Sequence, residues 1–445
     1  MALDRELGIS YGGAATARMP VPRALARVLQ PTAAGLALAG LVACGVLICL
    51  EAAAGRSGLI PASWHGLPSW MSGPLPGVGP GLTSDSFTPL FLAMCGCYLA
   101  LIVLARQLPA PLTVGAIVAL HAAFLLAPPL LSADVFGYID WGRMGALHGL
   151  DPYRHGSLAL QHDPVFAYMR WRTNLSSPYG PLFTLVSYAI APLSLAASLW
   201  AFKAIAALSS LACVGLVWAC ARRLRIDPLP AVVLVGLNPL LLVWAIAGAH
   251  NDLLVLAVVM SGVYLVLRGR DRLAGATAPL AAAFKVSMGV IAPFVMLGAR
   301  RRGAALAGAA AALAAVAVAS VAAFGGDAAG FVRTTKEQQD LVATASLPNQ
   351  IGRWLGLGGL TPGLRALAIA VLAAALIVLV VRTWRGADWI ASAGWATLAL
   401  LATSAWLMPW YAVWALPFAA LGRSRRLTLA TVAFCAYVVA MRTPF

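Results

Sequence analysis

The sequence predicts an all-α integral membrane protein, a polytopic bundle of about 11–13 transmembrane helices, and three observations support this. Of the 445 residues, 61% are hydrophobic and only 10% are charged, whereas soluble domains carry roughly 25% charged residues. The apolar residues form long runs, and the arginines cluster in short segments between them, as the positive-inside rule describes. The net charge of +16 therefore indicates membrane orientation and no nucleic-acid partner, and the composition excludes a water-soluble enzyme.

The predicted spans follow from the length of the apolar runs, because a transmembrane helix needs about 20 such residues. The candidate runs are 32–52, 87–105, 112–131, 200–221, 229–248, 252–268, 304–324, 363–382, 388–407, 409–422 and 427–441. The first run is longer than the apolar core of a cleaved signal peptide, roughly 7–15 residues. We therefore expect 1–31 to be a cytoplasmic N-terminal segment and 32–445 to be a single membrane domain.

The basic clusters predict the orientation of these helices. They lie at 106, 222–225, 268–272, 300–302, 382–385 and 423–426, and the positive-inside rule assigns them to the cytoplasm. The loops 53–86, 132–177 and 325–362 then lie outside.

Two apolar stretches must break to fit this orientation. We expect 178–199 to be an interfacial or re-entrant helix on the outer side, and 273–299 to be a short helical hairpin with Lys285 at its tip. Broken elements survive only where protein or water covers their backbone, and they often line a site.

The outer loop 132–177 concentrates polar residues. It carries four of the 15 acidic residues and three of the six histidines, interleaved with aromatic side chains. A solvated loop would explain the charges, whereas the aromatics favour a sugar or lipid pocket. Asp134 follows the third helix at the membrane surface, where partial desolvation would suit a general base. Tyr138 shares its helical face and Asp140 does not, so no carboxylate pair is predicted.

Four other stretches are candidates, each with a plainer interpretation. Gly248–Asp252 places polar residues between two apolar helices, where they would line a site or cap the next helix. Lys285 is either a snorkelling lysine or a phosphate ligand. The loop 325–362, with Arg353, is a solvated loop or part of the site. The aromatic stretch 406–414 is an interfacial belt or the lining of a lipid groove.

Some motifs are missing from the sequence. All seven cysteines lie in apolar runs, so no disulfide framework is predicted. No phosphate-binding G-x-x-x-x-G-K-[ST] or dinucleotide-binding G-x-G-x-x-G motif occurs, so the activated substrate is expected through the membrane and not as a nucleotide. No cofactor is predicted. No metal site is predicted either, because the loop 132–177 lacks a D-x-D pair, although the sequence does not exclude a divalent metal.

Several motifs together resemble a known enzyme superfamily. The run SADVFGYIDWGRMGALHGLDPY (132–153) resembles the first catalytic loop of the membrane-embedded glycosyltransferases of the C superfamily. SPYGPL (177–182), AHNDLL (249–254), AAFKV (282–286) and MPWYAVW (408–414) resemble the actinobacterial polyprenyl-phosphate-mannose-dependent α-1,6-mannosyltransferases. The resemblance covers roughly residues 110–420.

The resemblance implies the C-superfamily glycosyltransferase fold and a defined reaction. Mannose would move from polyprenyl-phosphate-mannose to a mannan or lipoglycan acceptor outside the cytoplasmic membrane of a bacterium, with inversion and an α-1,6 linkage. In that superfamily an aspartate of the first outer loop is the base, and Asp134 occupies its position. The family pattern D-x-Y-x-Y is only partly kept, because Phe136 and Gly137 depart from it.

The expected site combines this resemblance with the polar stretches. We expect Lys285, Arg353, Arg143 and His250 to bind the donor phosphate. The residues expected to contact substrate or sugar are Tyr138, Asp140, Tyr153, Arg172, Tyr179, Asn251, Asp252, Trp410 and Tyr411.

Two alternatives remain open at this point. One is a related transferase with a polyprenyl-phosphate pentose donor such as arabinofuranose. The other is a flippase or transporter of a lipid-linked sugar, which would place polar residues near the bilayer midplane, whereas here they fall on outer loops.

Overall fold

The computed structural model describes residues 32–55, 67–78, 84–169 and 173–442, and every regular element in these ranges is a helix. The expected cytoplasmic segment 1–31 lies outside the described residues. The α-helices are α1 (Ala33–Ala53), α2 (Ser84–Leu104), α3 (Ala110–Leu126), α4 (Asp134–His148), α5 (Pro181–Ile190), α6 (Leu195–Arg223), α7 (Pro228–Gly236), α8 (Asp252–Leu267), α9 (Asp271–Phe284), α10 (Ala292–Gly298), α11 (Arg302–Phe324), α12 (Gly330–Gln339), α13 (Leu347–Trp354), α14 (Pro362–Trp384), α15 (Trp389–Thr403), α16 (Leu416–Leu421) and α17 (Arg425–Ala440).

The helix lengths confirm an all-α polytopic membrane protein. Within the described residues, five helices are long and apolar enough to cross a membrane: Ala33–Ala53, Phe87–Gln107, Leu195–Arg223, Arg302–Asp327 and Pro362–Trp384. A sixth span results if α7 and the π-helical turn Leu240–Ile246, which are bent by 48°, are counted together. Other apolar runs form shorter helices, so the number of about 11–13 spans stays a prediction.

Asn238 accounts for the break within the predicted span 229–248. Its side-chain Oδ1 accepts hydrogen bonds from the N–H groups of Leu240 and Leu241, at 2.9 and 3.3 Å. Pro239 has no N–H to continue the helix. The chain therefore changes direction here while its buried polar groups stay satisfied.

The two stretches expected to be broken are broken. Within 178–199, α5 has only ten residues, or about 15 Å of helix, which is half of the ~30 Å hydrocarbon core. Within 273–299, α9 ends at Phe284 and Lys285 adopts an extended conformation (φ −152°, ψ 111°) before a 3₁₀ helix, Val286–Ile291.

Contacts among the arginine clusters gather them at one end of the bundle, called here the basic end. Arg106 pairs with Asp227 at 3.3 Å, and the guanidinium of Arg423 donates to the carbonyl of Leu224. Arg223 and Arg268 both lie within about 6 Å of the centroid of the Tyr264 ring, at 5.8 and 5.9 Å. The remaining links are the Arg301 N–H, which donates to Asp271 Oδ2, and Arg302, which lies over the Trp384 ring. The predicted grouping of these clusters on one side is therefore seen in the fold.

Candidate active site

Four separate segments bring polar side chains to the end of the bundle opposite the arginines, called here the site end. α8 runs from Asp252 toward the basic end, and α9 returns from there to Lys285. The other two segments are the N-terminus of α4, which begins with Asp134, and the 3₁₀ helix Pro409–Ala415. The side chains that these segments contribute are far apart in sequence, since even Asp252 and Lys285, on consecutive helices, are 33 residues apart, so the fold creates the cluster.

Asp134 and His250 face each other at the centre of this cluster. Oδ2 of Asp134 lies 3.7 Å from Nδ1 of His250, and the side chains are 29% and 0% exposed. Asp134 is the first residue of α4, where the positive end of the helix dipole favours a carboxylate. The carboxylate is therefore reachable from outside, while the imidazole behind it is enclosed.

Stacking sets the orientation of the His250 ring, and burial sets its protonation state. Its ring lies on Trp410 with 3.5 Å between centroids and an interplanar angle of 16°. Burial, and then the charge of Lys285, lower the pKa of His250 well below its ordinary value, so the ring is neutral. Neither ring nitrogen has a hydrogen-bond partner among the described residues, which is unusual for buried polar atoms and is typical of functional sites.

Lys285 and Asp252 form a second group beside the first. Lys285 Nζ lies 2.7 Å from Asp252 Oδ1, and the indole N–H of Trp414 donates to the same oxygen at 2.8 Å. The ammonium also lies 4.3 Å from the centroid of the Tyr411 ring and 4.9 Å from that of Trp414, within cation–π range. A carboxylate and two aromatic faces thus hold one cation at the break after α9.

Tyr138 of α4 and Tyr179, which precedes α5, form an adjoining wall. Tyr138 and Tyr179 meet edge to face at 5.2 Å, and Phe183 packs on both. Burial, followed by the charges of Asp134 and Asp252, raises the pKa of Tyr138 well above its ordinary value. Its hydroxyl therefore stays protonated and available as a donor.

A close backbone contact ties this wall to Lys285. The N–H of Gly180 donates to the carbonyl of Phe284 at 3.1 Å, so Tyr179 and Lys285 each flank one of the two joined residues. A Cβ at position 180 would lie 2.0 Å from the backbone oxygen of Ala283, so only glycine, which has no Cβ, fits at this position.

The two predicted outer loops, 132–177 and 325–362, pack against each other. The hydroxyl of Tyr153 shares a hydrogen bond with Thr184 at 2.9 Å, and the Tyr153 carbonyl accepts one from Arg333 at 2.7 Å. Thr334 donates to the Ser177 carbonyl at 2.6 Å. Helix α12 therefore braces the chain that leads to Tyr179.

Arg143 is used within the loop and not in the cluster. Its Nε lies 2.9 and 3.0 Å from the two carboxylate oxygens of Asp163, and His148 Nε2 lies 2.9 Å from the second oxygen. Burial acts to raise the pKa of Asp163, but the hydrogen bonds from Arg143, the Val165 N–H and His148 outweigh it and leave the pKa lowered.

The remaining expected residues are distributed as follows. Arg353 is exposed on α13 and makes none of the cluster's hydrogen bonds or ion pairs. Asp140 is fully buried on the other face of α4, where burial raises its pKa to about 7 and the nearby Ser157 hydroxyl opposes the shift. Asn251 is 4% exposed in the cluster's turn, with no side-chain partner among the described residues. Arg172 lies outside the described residues.

Two segments that deliver the cluster are strained. Leu131, three residues before Asp134, has φ 58°, and Ala249, directly before His250, has φ 55°. Left-handed conformations of non-glycine residues cost roughly 1–3 kcal/mol each and persist where the surroundings impose them. No sequence pattern predicted the positive φ of Leu131 and Ala249 or the Trp414 contact, although Ala249 stands in the candidate stretch Gly248–Asp252 and Trp414 in the aromatic stretch 406–414.

No three His, Cys, Asp or Glu side chains within the described ranges are grouped to hold a metal ion. The absence of a metal requirement stays a prediction.

Comparison with known proteins gives matches over most of the chain. The family described as Alpha-(1->6)-mannopyranosyltransferase, N-terminal domain, matches residues 34–301, and the MptB C-terminal domain matches residues 342–445. The alpha-(1->6)-mannopyranosyltransferase B of Corynebacterium glutamicum is 29% identical over 341 residues, which cover 66% of this chain and 56% of that protein.

Two mycobacterial relatives match over shorter stretches. An alpha-(1->6)-mannopyranosyltransferase of Mycobacterium tuberculosis is 32% identical over 153 residues, covering 33% of this chain and 26% of that protein. The alpha-(1->6)-mannopyranosyltransferase A of the same organism is 30% identical over 187 residues, covering 39% and 34%. The matched regions thus span between 26% and 56% of these relatives' own lengths. No solved structure matches the chain.

Proposed function

The chain belongs to the alpha-(1->6)-mannopyranosyltransferase family, and from this premise we propose that it transfers mannose from polyprenyl-phosphate-mannose to a mannan or lipoglycan acceptor. The linkage formed would be α-1,6, with inversion at the anomeric carbon. The observation that carries this proposal is the partly exposed carboxylate of Asp134, which faces the buried side chains of His250 and Lys285.

The reaction needs one base and one stabilised leaving group. The acceptor oxygen forms a bond to the anomeric carbon while the bond from that carbon to the phosphate oxygen breaks. Asp134 takes the acceptor's hydroxyl proton as its oxygen attacks. The polyprenyl phosphate departs as a phosphate monoester anion and needs cations rather than a proton.

Lys285 is the proposed cation for that phosphate. Its ammonium has three N–H donors, and one of them is directed to Asp252 at 2.7 Å. The aromatic faces of Tyr411 and Trp414 fix the ammonium in place, so its remaining donors are oriented before the substrate arrives. The neutral His250 and the amide of Asn251 would add hydrogen bonds.

The sugar would lie against the aromatic wall. Tyr138 and Tyr179 adjoin Asp134 and Asp252, and Trp410 covers His250. Arg143 and Arg353 remain proposals for binding the donor phosphate, with Arg143 already paired to Asp163. Tyr153, Asp140 and Arg172 remain proposals for contact with substrate or sugar.

The proposed location is the cytoplasmic membrane of a bacterium, with the active site on the extracytoplasmic face. This rests on the arginine clusters at the opposite, basic end and on the positive-inside rule. The C-superfamily fold remains part of the proposal.

The test measures transfer of radiolabelled mannose from synthetic polyprenyl-phosphate-mannose to a short α-1,6-mannoside, with purified protein in lipid nanodiscs. Asp134→Asn should lower kcat by roughly 10²–10⁴-fold. The matched control is Asp227→Asn, a carboxylate at the basic end, which should keep wild-type activity. The corresponding arabinofuranosyl donor forms a second arm. Transfer only from that donor, or full activity in Asp134→Asn, would contradict the proposal.

A further inference from the structure

Lys203 is a fully buried lysine in α6 that the proposed reaction does not use. Its Nζ donates to three backbone carbonyls: Ala247 at 3.0 Å, Phe124 at 3.1 Å and Pro128 at 3.5 Å. An ammonium has three N–H donors, so these three acceptors satisfy it.

Two helix ends supply acceptors for this ammonium, and no carboxylate of the described residues pairs with it. Phe124 lies in the last turn of α3, and Ala247 directly follows the π-helical turn Leu240–Ile246. Carbonyls at helix C-termini lack intrahelical partners and carry the negative end of the dipole. A buried ammonium is costly unless such groups compensate it. A leucine or methionine would pack here without that cost, so packing alone does not account for a lysine.

Two of the three carbonyls, those of Pro128 and Ala247, lie on the two segments that deliver the candidate site, and Phe124 lies in the helix turn just before the first of them. Pro128 belongs to the segment 127–133, which leads into Asp134, and Ala247 directly precedes the turn 248–251 that carries His250. The N–H of Leu130 also donates to the Ala247 carbonyl, at 3.3 Å. Lys203 and Leu130 thus converge on one oxygen and join the two segments.

Both segments contain a strained residue, which is an independent sign that they are held in place. Leu131 and Ala249 have φ values of 58° and 55°, and such conformations persist only where the surroundings impose them. Without an external constraint, each segment would relax toward ordinary backbone angles and carry its functional side chain with it.

We propose that Lys203 is a positioning residue that clamps 127–133 to 247–251 and so sets the Asp134 carboxylate against the His250 ring. It does not touch substrate. The clamp's effect on catalysis rests on the proposed function, whereas its effect on the backbone does not.

The experiment compares Lys203→Met with Ser210→Ala. Ser210 lies on the same helix and shares a buried hydrogen bond with His121 of α3 at 2.9 Å, so its loss removes an α3–α6 contact without touching either segment. The readouts are amide hydrogen exchange, kcat and KM for mannose transfer, and the midpoint of thermal unfolding. Lys203→Arg, which keeps the charge, is the conservative variant.

We expect Lys203→Met to speed exchange at the amides of Leu130 and His250 and to lower kcat by about 10²-fold, the effect typical of a misplacement near 1 Å. KM should change much less, Lys203→Arg should recover part of kcat, and Ser210→Ala should leave kcat and both amides unchanged. If Lys203→Met does not fold, Lys203→Arg must itself show faster exchange at the two amides.

Two results would overturn the inference. One is unchanged exchange at both amides in Lys203→Met. The other is a loss of kcat in Ser210→Ala that is as large, relative to its shift in unfolding midpoint, as the loss in Lys203→Met. If the wild type transfers no mannose, the proposed function fails, and the exchange data alone decide the clamp.

Discussion

Lys285 and Asp252 form a buried ion pair, with Nζ of the lysine 2.7 Å from Oδ1 of the aspartate and side-chain exposures of 13% and 1%. The pair joins the break after α9 to the first residue of α8. It therefore holds two of the segments that build the candidate site.

Removing either partner of this pair should be costly, because the other charge stays buried. We expect Lys285→Met or Asp252→Asn alone to lower the free energy of unfolding by on the order of 3–5 kcal/mol. The double variant should lose less than the sum of the single losses. Denaturation of all three variants measures this coupling, and strictly additive losses would show that the pair is not coupled. Arg106→Gln is the control, because its exposed partner Asp227 makes a pair worth about 0–1 kcal/mol.

Gly180 should not tolerate a side chain. Alanine there would place its Cβ 2.0 Å from the Ala283 carbonyl oxygen and push apart the two segments that carry Tyr179 and Lys285. We expect Gly180→Ala to lower both the unfolding midpoint and kcat. Gly115→Ala in α3 is the control, since no heavy atom lies within 4 Å of its added Cβ and helix propensity alone favours alanine by about 1 kcal/mol. Equal behaviour of the two variants would argue against the close contact.

The sequence indicates this site only in part. The arginines at both ends of a 27-residue apolar stretch with Lys285 in its middle predicted the break there, because the positive-inside rule places both ends in the cytoplasm. Asp134 stood out as a carboxylate at the end of an apolar run. The pairing of Lys285 with Asp252, 33 residues away, depends on how α8 and α9 pack, which no local pattern encodes. The same holds for Arg143, whose partner Asp163 is set by how the outer loop folds.

His250 should affect the reaction more than the fold. His250→Phe keeps an aromatic ring to stack on Trp410 but removes the nitrogen 3.7 Å from Asp134. We expect kcat to fall by on the order of 10²-fold, as for a misplaced reacting group, with little change in the unfolding midpoint. Steady-state transfer kinetics with thermal unfolding measure both. An unchanged kcat would remove His250 from the candidate site.

Asp140 should make the protein less stable as the pH rises. Burial raises its pKa to about 7 in the folded state, against roughly 3.9 in an unfolded chain. The folded state therefore holds the proton more tightly, and this contribution to stability is lost as the pH rises from about 4 to about 7. Asp140→Asn, which stays neutral, should unfold at a higher temperature than the wild type at pH 8 and lose this advantage near pH 4. A wild-type advantage at pH 8 would contradict the raised pKa.

Asp163 should show the opposite pH dependence on the same loop. Its pKa is lowered although burial acts to raise it, because Arg143, the Val165 N–H and His148 donate hydrogen bonds to its carboxylate. The stability it contributes is therefore present above the unfolded pKa of about 3.9 and is lost as the pH falls through the folded value. Asp163→Asn should be less stable than the wild type at pH 7 and approach it at acidic pH.

Arg143→Met should be at least as destabilising as Asp163→Asn, because it leaves a carboxylate that is only 2% exposed without its main partner. Thermal unfolding of the three proteins from about pH 2 to about pH 8 covers the range below the unfolded pKa and measures this dependence. A deficit of Asp163→Asn that grows toward low pH would mean that the carboxylate is not held as the structure describes.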